Sequence, residues 1–126
     1  QKKVEIELNI PSDLSEFYGY VSELNQVWTN LLDNAIDAVP QNGKIEVKAE
    51  EKNKNMYLFF KDNGSGIPED VLPKIFDPFF TTKDVGEGTG LGLDVVHKII
   101  EKHGASIDVE SKPGQTTFEL CFPLNN

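Results

Sequence analysis

The sequence predicts an α+β fold: a two-layer sandwich with an antiparallel or mixed sheet and helices on one face. Three observations carry this. Five short segments read as strands, two of them alternating apolar and polar residues with period two, two longer segments repeat with the helical period, and a glycine-rich stretch lies between the two helices. The resulting order is strand, helix, hairpin, glycine-rich stretch, helix, hairpin. At 126 residues the chain is the size of one domain, and it contains no repeat or low-complexity linker.

Val4-Glu5-Ile6-Glu7-Leu8-Asn9-Ile10 alternates as a half-buried strand does. From Ser22 to Val39 the apolar residues Leu24, Val27, Leu31, Ala35 and Val39 recur at three- and four-residue steps, with Trp28, Leu32 and Ile36 beside them. Ser22 is the expected N-cap, and Pro40 with Asn42-Gly43 ends the helix. Lys44–Ala49 and Met56–Phe60 read as paired strands joined by the polar connection Lys52-Asn53-Lys54-Asn55. Residues 62–92 hold six of the ten glycines and three of the seven prolines. A second amphipathic helix runs from about Leu91 to His103, with Gly104 at the position of a C′ glycine. Ala105–Ser111 and Thr116–Phe122 form the last hairpin, turned by Lys112-Pro113-Gly114-Gln115.

Composition narrows the function. Asp and Glu number 21 against 12 Lys and Arg, a net charge of −9, which opposes binding to nucleic acid or to an anionic membrane surface. Hydrophobic residues make up 38%, enough for a core and too many for a disordered acidic tail. One cysteine, Cys121, excludes an internal disulfide framework and an all-cysteine metal site, and fits a reducing compartment. No apolar run reaches the length of a membrane span, and Gln1-Lys2-Lys3-Val4-Glu5 has no signal-peptide core.

Three features carry candidate chemistry. Gly86, Gly88, Gly90 and Gly92 recur at every second residue just before the second helix; they do not match the usual phosphate-loop patterns. Uncovered backbone N–H groups at the positive end of a helix dipole make an anion site; the same glycines also suit a flexible surface loop. On the first helix Asn30 and Asn34 project from one side, roughly 40° apart, with Asp37 a turn further on. Asparagine is a poor helix-interior residue, so two on one stripe suggest carbonyl ligands for a hard cation such as Mg²⁺, the alternative being a solvated polar face. At a strand end, Asp62-Asn63-Gly64-Ser65-Gly66-Ile67 is either a turn or a site where a carboxylate accepts from an exocyclic amine beside a flat ring.

Taken in order, these segments resemble the four boxes of one family. Glu23–Val39 is similar to its N-box, Asp62–Ile67 to its G1 box, Ile75-Phe76-Asp77-Pro78-Phe79-Phe80-Thr81-Thr82-Lys83 to its F-box and Gly88-Thr89-Gly90-Leu91-Gly92-Leu93 to its G2 box. The family is the ATP-binding domain shared by sensor histidine kinases, type II topoisomerases, Hsp90 and MutL (the GHKL superfamily, Bergerat fold). The F-box points to the histidine-kinase branch, and the resemblance extends through His103-Gly104 and Pro113–Phe118.

The resemblance implies a mixed, mostly antiparallel sheet with about three helices on one face, a single domain over residues 1–126, and a mobile ATP lid over about 76–92. Asn34 would ligate Mg²⁺, Asn30 would neighbour the triphosphate, and Asp62 would read the adenine amino group in a pocket shaped by Gly64, Gly66 and Ile67. Lys83 and the backbone of Gly88, Gly90, Leu91 and Gly92 would lie along the phosphates. Asp37, Phe76, Thr81, Thr82, Thr89 and Leu93 complete the implied nucleotide set, with Asn30, Asn34 and Lys83 as the catalytic residues. Phe76, Phe79 and Phe80 are either lid anchors or simple core residues.

The implied activity is an ATP-dependent protein histidine kinase in two-component signalling. Its γ-phosphate would go to a histidine on a separate dimerisation hairpin of the same parent, and a response regulator would act downstream. The domain would be cytoplasmic, without direct membrane contact, and would not phosphorylate itself alone. A non-catalytic ATP-binding switch and an anti-sigma-type protein-serine kinase are the alternatives. Hydrolysing relatives carry Glu one turn before the metal Asn, where this chain has Asn30; an amide cannot take a proton near neutral pH, so slow water attack is expected. Asp94 departs from the family's common Ser. Neither His97 nor His103 has the acidic neighbour of a phosphoacceptor.

Overall fold

The computed structural model describes residues 3–16, 18–78 and 92–124. Strand β1 (Val4–Asn9) is followed by helix α1 (Val21–Ala38), and β2 (Gly43–Lys52) and β3 (Asn55–Asp62) follow as a hairpin. A 3-10 turn (Leu72–Lys74) precedes α2 (Leu93–Lys102), and β4 (Ser106–Lys112) and β5 (Gln115–Pro123) close the chain. The five strands form one sheet in the order β1-β2-β3-β5-β4. Only β1 and β2 are parallel, and α1 supplies the crossover that parallel neighbours need; every other neighbouring pair is antiparallel. This is the mixed, mostly antiparallel α+β sandwich that the sequence predicts. Two α-helices and one 3-10 turn stand among the described residues, against the three helices expected.

The apolar stripe of α1 (Leu24, Val27, Leu31) and that of α2 (Val96, Ile99, Ile100) pack with Met56, Phe60, Phe118, Leu120 and Phe122 of the sheet into one core. Leu31 is 1% exposed, and burying such a side chain contributes about 1.5–3 kcal/mol. A smaller cluster of Ala35, Val39 and Ile45 continues the core toward β1. Beyond it the strand's apolar residues lose their cover: Ile6 and Leu8 are 48% and 64% exposed, as is Ile10 just past the strand at 55%, so β1 is less buried than its alternation implies.

Helix ends differ in detail from the sequence expectation. Helix α1 begins at Val21 with Tyr20 as N-cap, not at Ser22, and no side chain caps it. The reason is tertiary: the Tyr20 carbonyl already accepts from Leu24 N–H at 2.9 Å, and its own N–H goes to His103 Nε2 at 3.1 Å. At the other end of the layer α2 closes in a Schellman motif. Gly104 takes φ 67, its N–H reaches the Glu101 carbonyl at 3.0 Å, and Ala105 N–H reaches that of Ile100 at 3.0 Å.

Candidate functional site

Strand β3 ends at Asp62, and the chain turns sharply beneath the last turns of α1. Gly64 is buried so close to that helix that a Cβ there would lie 2.7 Å from the Ala38 carbonyl oxygen. Asn63 ties the turn to β2, its Oδ1 accepting from Lys44 N–H at 2.8 Å and its N–H donating to the Lys44 carbonyl at 3.2 Å. Gly66 adopts φ +89, and a Cβ there would run into the Lys112 carbonyl of the β4–β5 turn. Glycine is therefore required at both positions by space, and at Gly66 by backbone conformation as well.

These contacts leave a cavity of about 660 Å³, open on one side, between α1 and the turn after β3. Asn34 and Asp37 of α1, Asp62 of β3, and Gly66 and Ile67 of the turn line it. Leu93 of α2 and Thr116 of β5 form further wall. The volume lies in the range of small-molecule and cofactor sites. Asp62 is 5% exposed, and its Oδ1 accepts from Gly64 N–H at 2.8 Å. Burial pushes its carboxyl above the ordinary carboxylate value, and the Gly64 N–H partly opposes that rise. A carboxylate at the wall of such a cavity offers acceptor oxygens that an amine-bearing ligand can meet.

Thr116 is the buried polar residue of the cavity wall that sequence reasoning missed. It faces Asp62 in the β3–β5 register and is 2% exposed. Its Oγ1 lies 2.7 Å from Ser111 Oγ, which accepts from Ile67 N–H at 2.7 Å. A chain of three polar groups thus links the turn after β3 to the β4–β5 hairpin. Strand alternation could have found it, because Thr116 shares a face with Phe118 and Leu120.

The other predicted residues divide into three groups. Asn30 does not line the cavity; its Nδ2 donates to the Gly92 carbonyl at 3.1 Å. Phe76 is half-buried against the core, its ring centroid 5.4 Å from that of His97, and Asp94 lies in the first turn of α2. Thr81, Thr82, Lys83, Gly88, Thr89, Gly90 and Leu91, with Phe79, Phe80 and most of the expected lid, lie outside the described residues. Among the described residues, no helix is long and apolar enough to cross a membrane.

A one-sided helical layer over a mixed sheet, with a ligand-sized cavity at the end of β3, defines a small-molecule-binding α+β domain. Residues 19–126 match the family described as histidine kinase-, DNA gyrase B-, and HSP90-like ATPase, and the chain belongs to that family. The sensor histidine kinase ZraS of Escherichia coli (strain K12) is 42% identical over 125 residues, which cover 98% of this chain and 26% of ZraS. Sporulation kinase A of Bacillus subtilis (strain 168) is 42% identical over 106 residues, 83% of this chain and 17% of that protein. The chain thus spans about a quarter or less of these two relatives. Among solved structures, the nucleotide-free catalytic domain of histidine kinase ThkA superposes with a TM-score of 0.85 at 35% identity, covering 95% of this chain and 78% of that one. ThkA in complex with the response regulator protein TrrA gives 0.80 at 31% identity, covering 97% and 34%.

Proposed function

We propose that this chain binds Mg·ATP in the cavity beneath α1 and donates the γ-phosphate to a histidine on a separate helical hairpin of its parent protein. The observation that carries this reading is Asp62, a buried carboxylate at the wall of a ligand-sized cavity, with Gly66 and Ile67 of the following turn beside it. Asp62 would accept from the adenine amino group, with Ile67 and Thr116 beside the base. Asn34 would hold Mg²⁺ through its amide oxygen near Asp37, a donor set of the hard-oxygen kind that Mg²⁺ takes alongside water and phosphate. Bound Mg²⁺ would neutralise charge on the triphosphate. Lys83 and the backbone around Gly88, Gly90 and Leu91 would supply the remaining phosphate contacts. Transfer in such a site rests on positioning and electrostatic stabilisation. The absence of a carboxylate at position 30 suits transfer to a protein nucleophile over transfer to water.

Relatives named as sensor histidine kinases, and a neighbour solved with its response regulator, support placing the reaction in two-component signalling. The test supplies the domain with a dimeric helical hairpin carrying the phosphoacceptor histidine of the same parent, together with labelled Mg·ATP. Acid-labile phosphate on the hairpin is the expected result. Tight ATP binding with no transfer would indicate a nucleotide-operated switch, and acid-stable phosphate on a partner would indicate a serine kinase.

A further inference from the structure

Asn30 stands in the third turn of α1, and its contact crosses to the other helix. Its Nδ2 donates to the carbonyl of Gly92 at 3.1 Å, across 62 residues of sequence. Gly92 is the N-cap of α2 and sits in the left-handed region at φ 64, ψ 17. The same carbonyl accepts the Val96 N–H at 3.3 Å, so one oxygen receives the first bond of α2 and the amide of α1 together. A Cβ on Gly92 would lie 2.7 Å from Asn30 Nδ2. Close approach and left-handed backbone thus require glycine at 92, and the bond requires a donor at 30. An ionised Asp or Glu there has only acceptors to offer. The residue that follows, Leu93, is 2% exposed and is part of the cavity wall.

We infer that Asn30 is a positioning residue, which fixes Gly92 and the start of α2 against α1 and so sets where the Leu93 wall of the cavity stands. Its amide acts on the protein backbone, as a donor. The consequence for nucleotide affinity rests on the reading of the cavity as the ATP site; the structural consequence does not.

Amide hydrogen exchange in the nucleotide-free domain separates the two. In Asn30→Ala, the Val96 amide should exchange about tenfold faster than in the parent while that of Phe60, in the central strand, changes far less. Gly92→Ala, which attacks the same contact from the other side, should reproduce that pattern. Equal acceleration at Val96 and Phe60 would reduce the effect to a general loss of stability and overturn the inference, as would unchanged Val96 exchange in both variants. Titration of Asn30→Ala with ADP and with ATP gives the second readout. Equal weakening, about three- to tenfold, supports positioning of the cavity wall. A loss confined to ATP would assign Asn30 to the γ-phosphate and overturn it. If neither nucleotide binds the parent domain, the ATP reading fails and the exchange result still decides the role of Asn30.

Discussion

His103 Nε2 accepts the backbone N–H of Tyr20 at 3.1 Å while its Nδ1 lies 2.7 Å from the Ile99 carbonyl oxygen. Because Nε2 accepts, the ring proton of the neutral imidazole sits on Nδ1 and is donated to Ile99. The ring also packs edge-on against Tyr20 and Phe122, and Gly19 passes so close that a Cβ there would lie 3.0 Å from Nε2. One side chain at the end of α2 thereby sets the start of α1, the helix that carries Asn34. In His103→Phe the packing survives and the bond to Tyr20 does not. We expect a loss of about 1 kcal/mol in denaturant unfolding, with faster exchange at the Tyr20 amide. Unchanged stability and exchange would show that the imidazole nitrogens contribute nothing.

Asp62 gives a prediction in which stability and binding move in opposite directions. Burial raises its pKa in the folded state. Between the ordinary carboxylate value and the raised one, the folded protein therefore binds more protons than the unfolded chain. Stability contributed by this group falls as pH rises through that window and is level above it. Asp62→Asn removes that slope and keeps an oxygen for Gly64 N–H, so the nucleotide-free variant should melt higher than the parent at pH 7. Its affinity for ATP and ADP should drop sharply, since an amide nitrogen facing an amine offers no acceptor. Calorimetry showing undiminished affinity would refute the base pocket assigned here.

The β2–β3 hairpin turns on two residues that both have positive φ, Asn53 at 53 and Lys54 at 65. With Lys52 opposite Asn55 this is the type I′ geometry, which favours glycine at its second position. Lys54→Gly should stabilise the domain by about 0.5–1 kcal/mol, part of the relief being offset by glycine's greater freedom in the unfolded chain. A lower unfolding midpoint would contradict the strain.

Thr116→Val keeps shape and removes the hydroxyl that Ser111 meets in the buried wall. The cost should be about 1–3 kcal/mol, since Ser111 then keeps only its contact from Ile67 N–H. The neighbouring Thr117→Val, on the opposite face of β5, should stay within about 0.5 kcal/mol of the parent. Equal effects at the two positions would remove any special role for the chain of hydroxyls.

The sequence carried the periodic elements because burial alone dictates them: Leu24, Val27, Leu31 and Ala35 repeat at helical spacing and are the residues α1 buries. Asp62, Gly64 and Gly66 were visible as a group because they are adjacent in the chain. Long-range relationships left no such trace. Ser22 looks like a cap, and nothing local reveals that His103, 83 residues from Tyr20, fixes the start of the helix. The pairing of Asn30 with Gly92 and of Asp62 with Thr116 depends on how helices and strands meet, which periodicity does not encode.

The parallel pairing of β1 with β2 governs the order in which the molecule assembles. The β2–β3 and β4–β5 partners meet across turns of two residues, whereas β1 reaches β2 only after the whole of α1 has folded back across the sheet. Short loops close at less entropic cost, so the two hairpins form early and β1 joins late. Run in reverse, β1, an edge strand with the uncovered apolar side chains Ile6 and Leu8, is the first to peel away, and its amides should exchange ahead of those of β3; the opposite order would refute this sequence of events. Assembly proceeds outward from the centre of the sheet, and opening begins at the edge that the helices leave bare.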